Sequence, residues 1–177
     1  MLSVIILCAP HDLSPAGASA EAVVRTLSAL VGACVRGLVR DVVLAGPSRT
    51  ELSVIADHAG CSYVEAASEA DALRNALALV RGEDVLILRP GHIPETGFVE
   101  EIEDLLADGR LRDGRRIYAA PASYWQRLIP ALTPVVGLLA PVKACRAAKD
   151  APTLSLAALL QATGSRAALR ARARRVS

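Results

Sequence analysis

With 177 residues and 18.5 kDa the chain has the size of one compact domain, and 53% hydrophobic against 21% charged residues excludes global disorder. Five aromatic residues (Tyr63, Phe98, Tyr118, Tyr124 and Trp125) are too few for a base-stacking platform, so nucleic acid is not an expected partner. The formal charge of +2 divides into −9 over residues 1–108 and +11 over residues 109–177, and a basic C-terminal third suits a phosphate-bearing substrate, an anionic membrane surface or an acidic protein.

Residues 2–8 form a continuous apolar run rich in β-branched side chains, the pattern of a strand buried on both faces. A loop containing His11, Asp12 and Gly17 follows, and residues 19–35 repeat apolar side chains at helical spacing. Residues 41–45 read as a second strand closed by Gly46-Pro47-Ser48, with Thr50 placed to cap a helix over 51–59 that ends at Gly60. Cys61 to Glu65 is a short third strand. Ser68-Glu69-Ala70-Asp71 has the form of a capping box and opens a helix to about Val80. Residues 84–88 make a fourth strand, and residues 95–107 a further helix with Glu100, Glu101, Glu103 and Asp104 on its outer face.

Beyond residue 108 the pattern weakens. A strand is expected near Arg116–Ala120 and a helix over about Leu154–Ala162. Between them, residues 128–142 are apolar but interrupted by Pro130, Pro134 and Pro141, too short and too broken for a membrane-spanning helix. Core, subunit interface and membrane interface remain open for that stretch. The Arg- and Ala-rich end, with Arg166, Arg170, Arg172, Arg174 and Arg175, favours helix by propensity.

Four or more alternations of strand and helix predict an α/β three-layer sandwich with a mainly parallel, Rossmann-like sheet. One domain is expected over residues 1–177, with a doubly wound half over 1–108 and a basic part over 109–177. Cys8, Cys34, Cys61 and Cys145 include no CxxC pair and no nearby histidine, which argues against a zinc site or a disulfide framework. Met1 leads directly into the apolar run, so no secretory leader is expected. The cytoplasm is the expected compartment, with peripheral attachment to the inner face of the membrane as an option.

Open parallel sheets bind ligands beyond the carboxyl ends of their strands, where helix N-termini and loop amides converge. That rule selects His11 and Asp12 after the first strand, Ser48 and Arg49 after the second, and Arg89, Gly91 and His92 after the fourth. His11, Asp12 and His92 also make a loose transition-metal set. No GxGxxG follows the first strand, and neither GxxxxGK[ST] nor GxSxG occurs, so dinucleotide, P-loop and nucleophile-elbow readings lack support.

Ser3-Val4-Ile5-Ile6, the strand Val42-Val43-Leu44 with Gly46-Pro47-Ser48-Arg49-Thr50, and above all residues 66–106 resemble the nucleotide-binding half of family 2 glycosyltransferases, the GT-A fold. The most specific pieces are Arg74-Asn75 and Arg81-Gly82-Glu83-Asp84. The resemblance implies transfer of a sugar from a nucleotide-diphosphate donor, with Arg74 and Asn75 at the donor pocket. Members of the family end the second strand with paired aspartates that hold the base, where this chain has Ala45 and Gly46. They end the fourth with an Asp-x-Asp that binds Mg²⁺ or Mn²⁺, where this chain has Arg89-Pro90-Gly91, so the metal cofactor is expected to be lost.

Arg89 then replaces the cation as the group facing a departing diphosphate, or the domain is a non-catalytic binding or scaffold module. The expected donor-binding set is His11, Asp12, Ser48, Arg74, Asn75, Arg89 and His92. After residue 108 the only acids are Asp113 and Asp150, and Asp150 is the candidate for the general base because it precedes Thr153-Leu154-Ser155-Leu156, a segment that resembles the family stretch where an acidic base precedes a D-L-x-L helix.

Overall fold

The structure, a computed structural model, describes residues 1–8, 19–95, 97–107, 109, 111–121, 126, 128, 133–149, 151, 153–165 and 167–175. Among these, strands β1 (Leu2–Leu7), β2 (Val39–Gly46), β3 (Ser62–Glu65) and β4 (Asp84–Leu88) alternate with helices α1 (Ser19–Val35), α2 (Thr50–Ala59) and α3 (Glu69–Leu79). Next come β5 (His92–Pro94), α4 (Phe98–Ala107), β6 (Arg115–Tyr118), β7 (Val135–Pro141), α5 (Val142–Ala147), α6 (Leu156–Ala162), β8 (Ala167–Ala168) and β9 (Ala173–Arg175).

Seven strands form one sheet in the order β3-β2-β1-β4-β7-β6-β8, and β5 with β9 forms a separate two-stranded ribbon. β1 to β4 are mutually parallel, β7 runs antiparallel between β4 and β6, and β8 joins β6 in parallel. This is the mainly parallel sandwich predicted from the alternation of elements.

Parity along the strands sorts the core into two layers. Val4, Ile6, Leu86 and Leu88 face α1, α2 and α4, where they meet Val23, Leu30, Leu52, Phe98 and Ile102. Ile5, Leu7, Val85 and Ile87 face α3, α5 and α6, meeting Leu73, Leu77, Cys145, Leu156 and Leu159. Every residue of β1 is therefore buried, which explains its unbroken apolar run. Burying one such side chain contributes about 1.5–3 kcal/mol, so the two layers dominate the stability of the fold.

The Arg81-Gly82-Glu83-Asp84 block forms a structural junction at the edge where the parallel strands begin. Buried Ser3 donates its hydroxyl to Asp41 at 2.6 Å and accepts the Gly82 N–H at 2.7 Å. A Cβ at position 82 would lie 2.7 Å from Met1 O and Ser3 N, so only glycine fits. Arg146 of α5 closes the end of α3 by donating to the carbonyls of Leu77 at 3.0 Å and Val80 at 2.9 Å.

Two local expectations are corrected, and the part of the proline-interrupted stretch left open between core and interface is core over residues 136–140. Thr50 is the first helical residue of α2, with Arg49 at the N-cap position and no side-chain cap hydrogen bond. The proline-interrupted stretch yields β7, an interior strand whose residues 136–140 are buried. Pro134 precedes it and Pro141 ends it, where a missing N–H does least harm to the ladder. Pro130 lies outside the described residues, and Leu128 is exposed.

Among the described residues of the Arg- and Ala-rich end, Ala167–Ala168 and Ala173–Arg175 are strand and none is helical. Ala173 is fully buried and pairs with Pro94, so tertiary pairing overrides helix propensity. Among the described residues no helix is long and apolar enough to cross a membrane.

Candidate functional site

The carboxyl ends of β1, β2, β3, β4 and β6 share one edge of the sheet. There Gly46-Pro47-Ser48-Arg49, Ala66-Ala67-Ser68 and Arg89-Pro90-Gly91-His92 are gathered, with the start of α3 among them. Ser48 is exposed in the turn after β2. Tyr63 braces that turn from β3, its hydroxyl donating to Pro47 O at 2.7 Å and accepting the Arg49 N–H at 3.3 Å. Burial of the ring is the main cause holding the Tyr63 hydroxyl above its ordinary pKa, so it stays a neutral donor.

Arg89 leaves β4 on the α3 side. One of its terminal guanidinium nitrogens lies 3.1 and 3.0 Å from the two carboxylate oxygens of Glu69, the first residue of α3. Both side chains are only 19% exposed. Glu69 also accepts the Leu156 N–H at 2.9 Å and so fastens the start of α6 to the same point. The guanidinium therefore stands just beyond the end of β4 with a carboxylate against it.

Arg74 lies five residues into α3 and pairs with Asp71 at 2.7 Å, while Asn75 is exposed. Asp71 itself engages Ser68, whose Oγ accepts the Asp71 N–H at 3.1 Å, as the capping-box spacing predicts. His92 sits in β5 with Nδ1 3.2 Å from Pro90 O. The adjoining Gly91, at φ 77°, donates its N–H to Ala22 O and to Thr26 Oγ1, which ties the turn to α1. His11, Asp12 and Asp150 lie outside the described residues.

The divalent cation that the family resemblance implies does not fit the described residues at the end of β4. Arg89, Pro90, Gly91 and His92 offer no carboxylate, and Glu69 is already engaged by Arg89 and Leu156. No group of three His, Cys, Asp or Glu among the described residues is placed to hold a metal ion. The base-holding aspartates have no room either. Ala45 is fully buried, and a Cβ on Gly46 would lie 2.7 Å from Cys8 Cβ.

Sequence reasoning missed Glu69, which reads as an ordinary acidic residue at a helix start, and the arginines of β9. Pairing of β5 with β9 sets Arg175 opposite His92 and Arg174 opposite Ile93. Ala171-Arg172-Ala173-Arg174 does alternate small and charged residues with the period of a strand, but a run this short names no pairing partner. A hollow of about 500 Å³ opens beside the ribbon, lined by Ile93, Pro94, Glu95 and Arg174. A second cleft, of about 510 Å³, lies at the opposite edge of the sheet between Glu83, Asp84, Lys143 and Arg146, far from the loops that gather the predicted residues.

No protein-family model and no curated protein matches the chain. Among solved structures it is similar to glucosyl-3-phosphoglycerate synthase from Mycobacterium tuberculosis in complex with Mn²⁺, UDP and glucosyl-3-phosphoglycerate. The TM-score is 0.58 at 16% identity, over 81% of this chain and 57% of that one. A complex of the same synthase with Mn²⁺, UDP and phosphoglyceric acid gives 0.55 at 20% identity, over 81% and 56%. A 4-diphosphocytidyl-2C-methyl-D-erythritol synthase gives 0.57 at 16% identity, over 95% and 87%. At these identities the likeness establishes the fold, the GT-A-like sandwich that the sequence resemblance implied. The chain spans about 57% of the length of the glucosyl-3-phosphoglycerate synthase it matches.

Proposed function

We propose that the protein binds a nucleotide-diphosphate sugar at the carboxyl edge of its sheet and transfers the sugar without a divalent cation. The observation that carries this reading is the position of Arg89 at the end of β4, where it points toward the start of α3 and is held by Glu69. A guanidinium there offers fixed donors to diphosphate oxygens and stabilises the charge that develops as the diphosphate departs. The fold supports the ligand class. One similar structure is described with UDP bound and another carries a diphosphocytidyl group in its name.

In this reading Ser48, Arg74, Asn75 and His92 line the donor pocket with His11 and Asp12 of the first loop, and Asp150 takes the acceptor proton. Calorimetric titration with UDP- and GDP-sugars, in EDTA and again with Mn²⁺, tests it. The expected result is saturable binding that Mn²⁺ leaves unchanged. Absence of heat at millimolar donor, or binding that appears only with Mn²⁺, rejects it.

A second reading, a non-catalytic GT-A-like binding or scaffold module, is favoured by the buried Ala45, by Gly46 packed on Cys8 and by the carboxylate already against Arg89. Donor binding with no sugar released or transferred, and no effect of Asp150→Asn, selects it over the first.

A further inference from the structure

The basic C-terminal segment is built into the fold. Arg116 Nε donates to Ser165 O at 2.6 Å, and the N–H groups of Arg170 and Ala171 both donate to the Glu101 carboxylate at 2.8 Å. The Glu95 N–H then donates to Arg172 O at 2.9 Å, and the Ala120 N–H to Ala173 O at 2.8 Å. The acidic face of α4 thus holds the backbone of this segment, and Glu100 and Glu103 pair with Arg36 in the turn after α1. The guanidinium groups of Arg170, Arg172, Arg174 and Arg175 make no hydrogen bond or ion pair among the described residues.

Strand parity sorts those arginines. Ala173 points into the core, so Arg172 and Arg174 emerge together on the outer face of the ribbon, two residues and about 7 Å apart. That separation lets two guanidinium forks close on one phosphate group from either side. Arg174 lines the hollow with Ile93, Pro94 and Glu95, and Glu95 stands level with Arg172 across the ribbon. Among the described residues Glu95 is the one carboxylate lining that hollow.

We propose that the outer face of the β5–β9 ribbon is a phosphate-binding subsite in which Arg172 and Arg174 hold a phosphate-bearing small molecule. A hollow of this size suits a small molecule. None of the large exposed apolar side chains among the described residues (Met1, Val24, Val31, Val35, Val54, Leu79, Leu128) belongs to the ribbon, so it lacks the anchors a lipid surface would engage. Identifying that molecule as the sugar acceptor rests on the transfer reading above; the binding itself does not.

The full chain is titrated with inorganic phosphate while the arginine Nε–Hε resonances are followed by NMR, for the unaltered protein and three variants. Arg172→Gln/Arg174→Gln weakens binding about tenfold, the loss expected for charge-assisted hydrogen bonds. Glu95→Gln strengthens it roughly threefold by removing a competing charge. The midpoint read at the Arg172 and Arg174 resonances stays within about twofold in Arg89→Gln, which separates the ribbon from the donor pocket.

No phosphate binding by the unaltered protein, or a loss confined to Arg89→Gln, overturns the proposal. Tighter capture by phosphatidylglycerol vesicles than by phosphate assigns the ribbon to a membrane and also overturns it. Failure of UDP-sugar binding alongside the expected phosphate pattern removes the transfer reading and leaves the subsite standing.

Discussion

Replacing Glu69 with glutamine removes the charge that faces Arg89 while keeping an oxygen able to accept the Leu156 N–H. Breaking a fully buried ion pair costs about 3–5 kcal/mol, because the remaining charge is left without compensation. Here both side chains retain 19% exposure and water reaches the remaining guanidinium, so about 2–3 kcal/mol is expected. In a domain of this length that corresponds to a fall in Tm of about 4–12 °C.

The same change frees Arg89 from its internal competitor, so UDP should bind roughly tenfold more tightly even as the fold weakens. Arg89→Gln should instead lose about tenfold or more in UDP affinity. Differential scanning calorimetry and UDP titration on the same samples read both effects. Opposite signs for stability and affinity in Glu69→Gln are the signature of a phosphate clamp held by a carboxylate. UDP affinity unmoved in both variants would show that Arg89 does not reach the phosphates, and a Tm shift under about 1 °C would show a solvated pair that positions nothing.

Three further outcomes follow from the packing. Gly82→Ala drives a Cβ against Met1 O and Ser3 N, backbone atoms that cannot rotate away, and should lower the urea midpoint by an amount equivalent to about 2–3 kcal/mol or more. Gly46→Asp, which places a carboxylate where the resembled glycosyltransferases carry one, should destabilise by about 1–3 kcal/mol through its clash with Cys8 and confer no Mn²⁺ binding by calorimetry. Burial pushes the Cys145 thiol up to about 12, so in the native state it stays protonated while the unfolded thiol ionises near its ordinary value. Stability should therefore decline as pH rises from about 9 toward 12. That decline should be shallower in Cys145→Ala, and iodoacetamide should label exposed Cys34 well before Cys145.

The first half of the fold was readable because its signals are local. β1, β4 and α1 follow from an unbroken apolar run, a bounded strand and a helical repeat. Gly60, at φ 67°, and Ser68, accepting the Asp71 N–H, end and begin their helices as their residue types require. β7 was obscured by its prolines, since an interior strand tolerates Pro141 only at its last position. β8 and β9 each rest on a partner far away in sequence, with Ala167 against Arg115 and Ala173 against Pro94, and nothing within two or three alanines and arginines announces that pairing.

At the candidate site, Ser48 and Arg89 follow the ends of β2 and β4 as the carboxyl-edge rule expects, while His92 opens β5. What it could not supply was Glu69. The pairing of that carboxylate with Arg89 depends on α3 starting beside the end of β4, twenty residues further along the chain.

The most direct test is a crystal of the protein soaked with UDP in the presence of Mn²⁺. Diphosphate density at the carboxyl edge, with the Arg89 guanidinium in hydrogen-bond range of its oxygens and no ion bridging them, is the predicted result. Nucleotide bound away from Arg89, or a cation coordinated between protein and diphosphate, would contradict it.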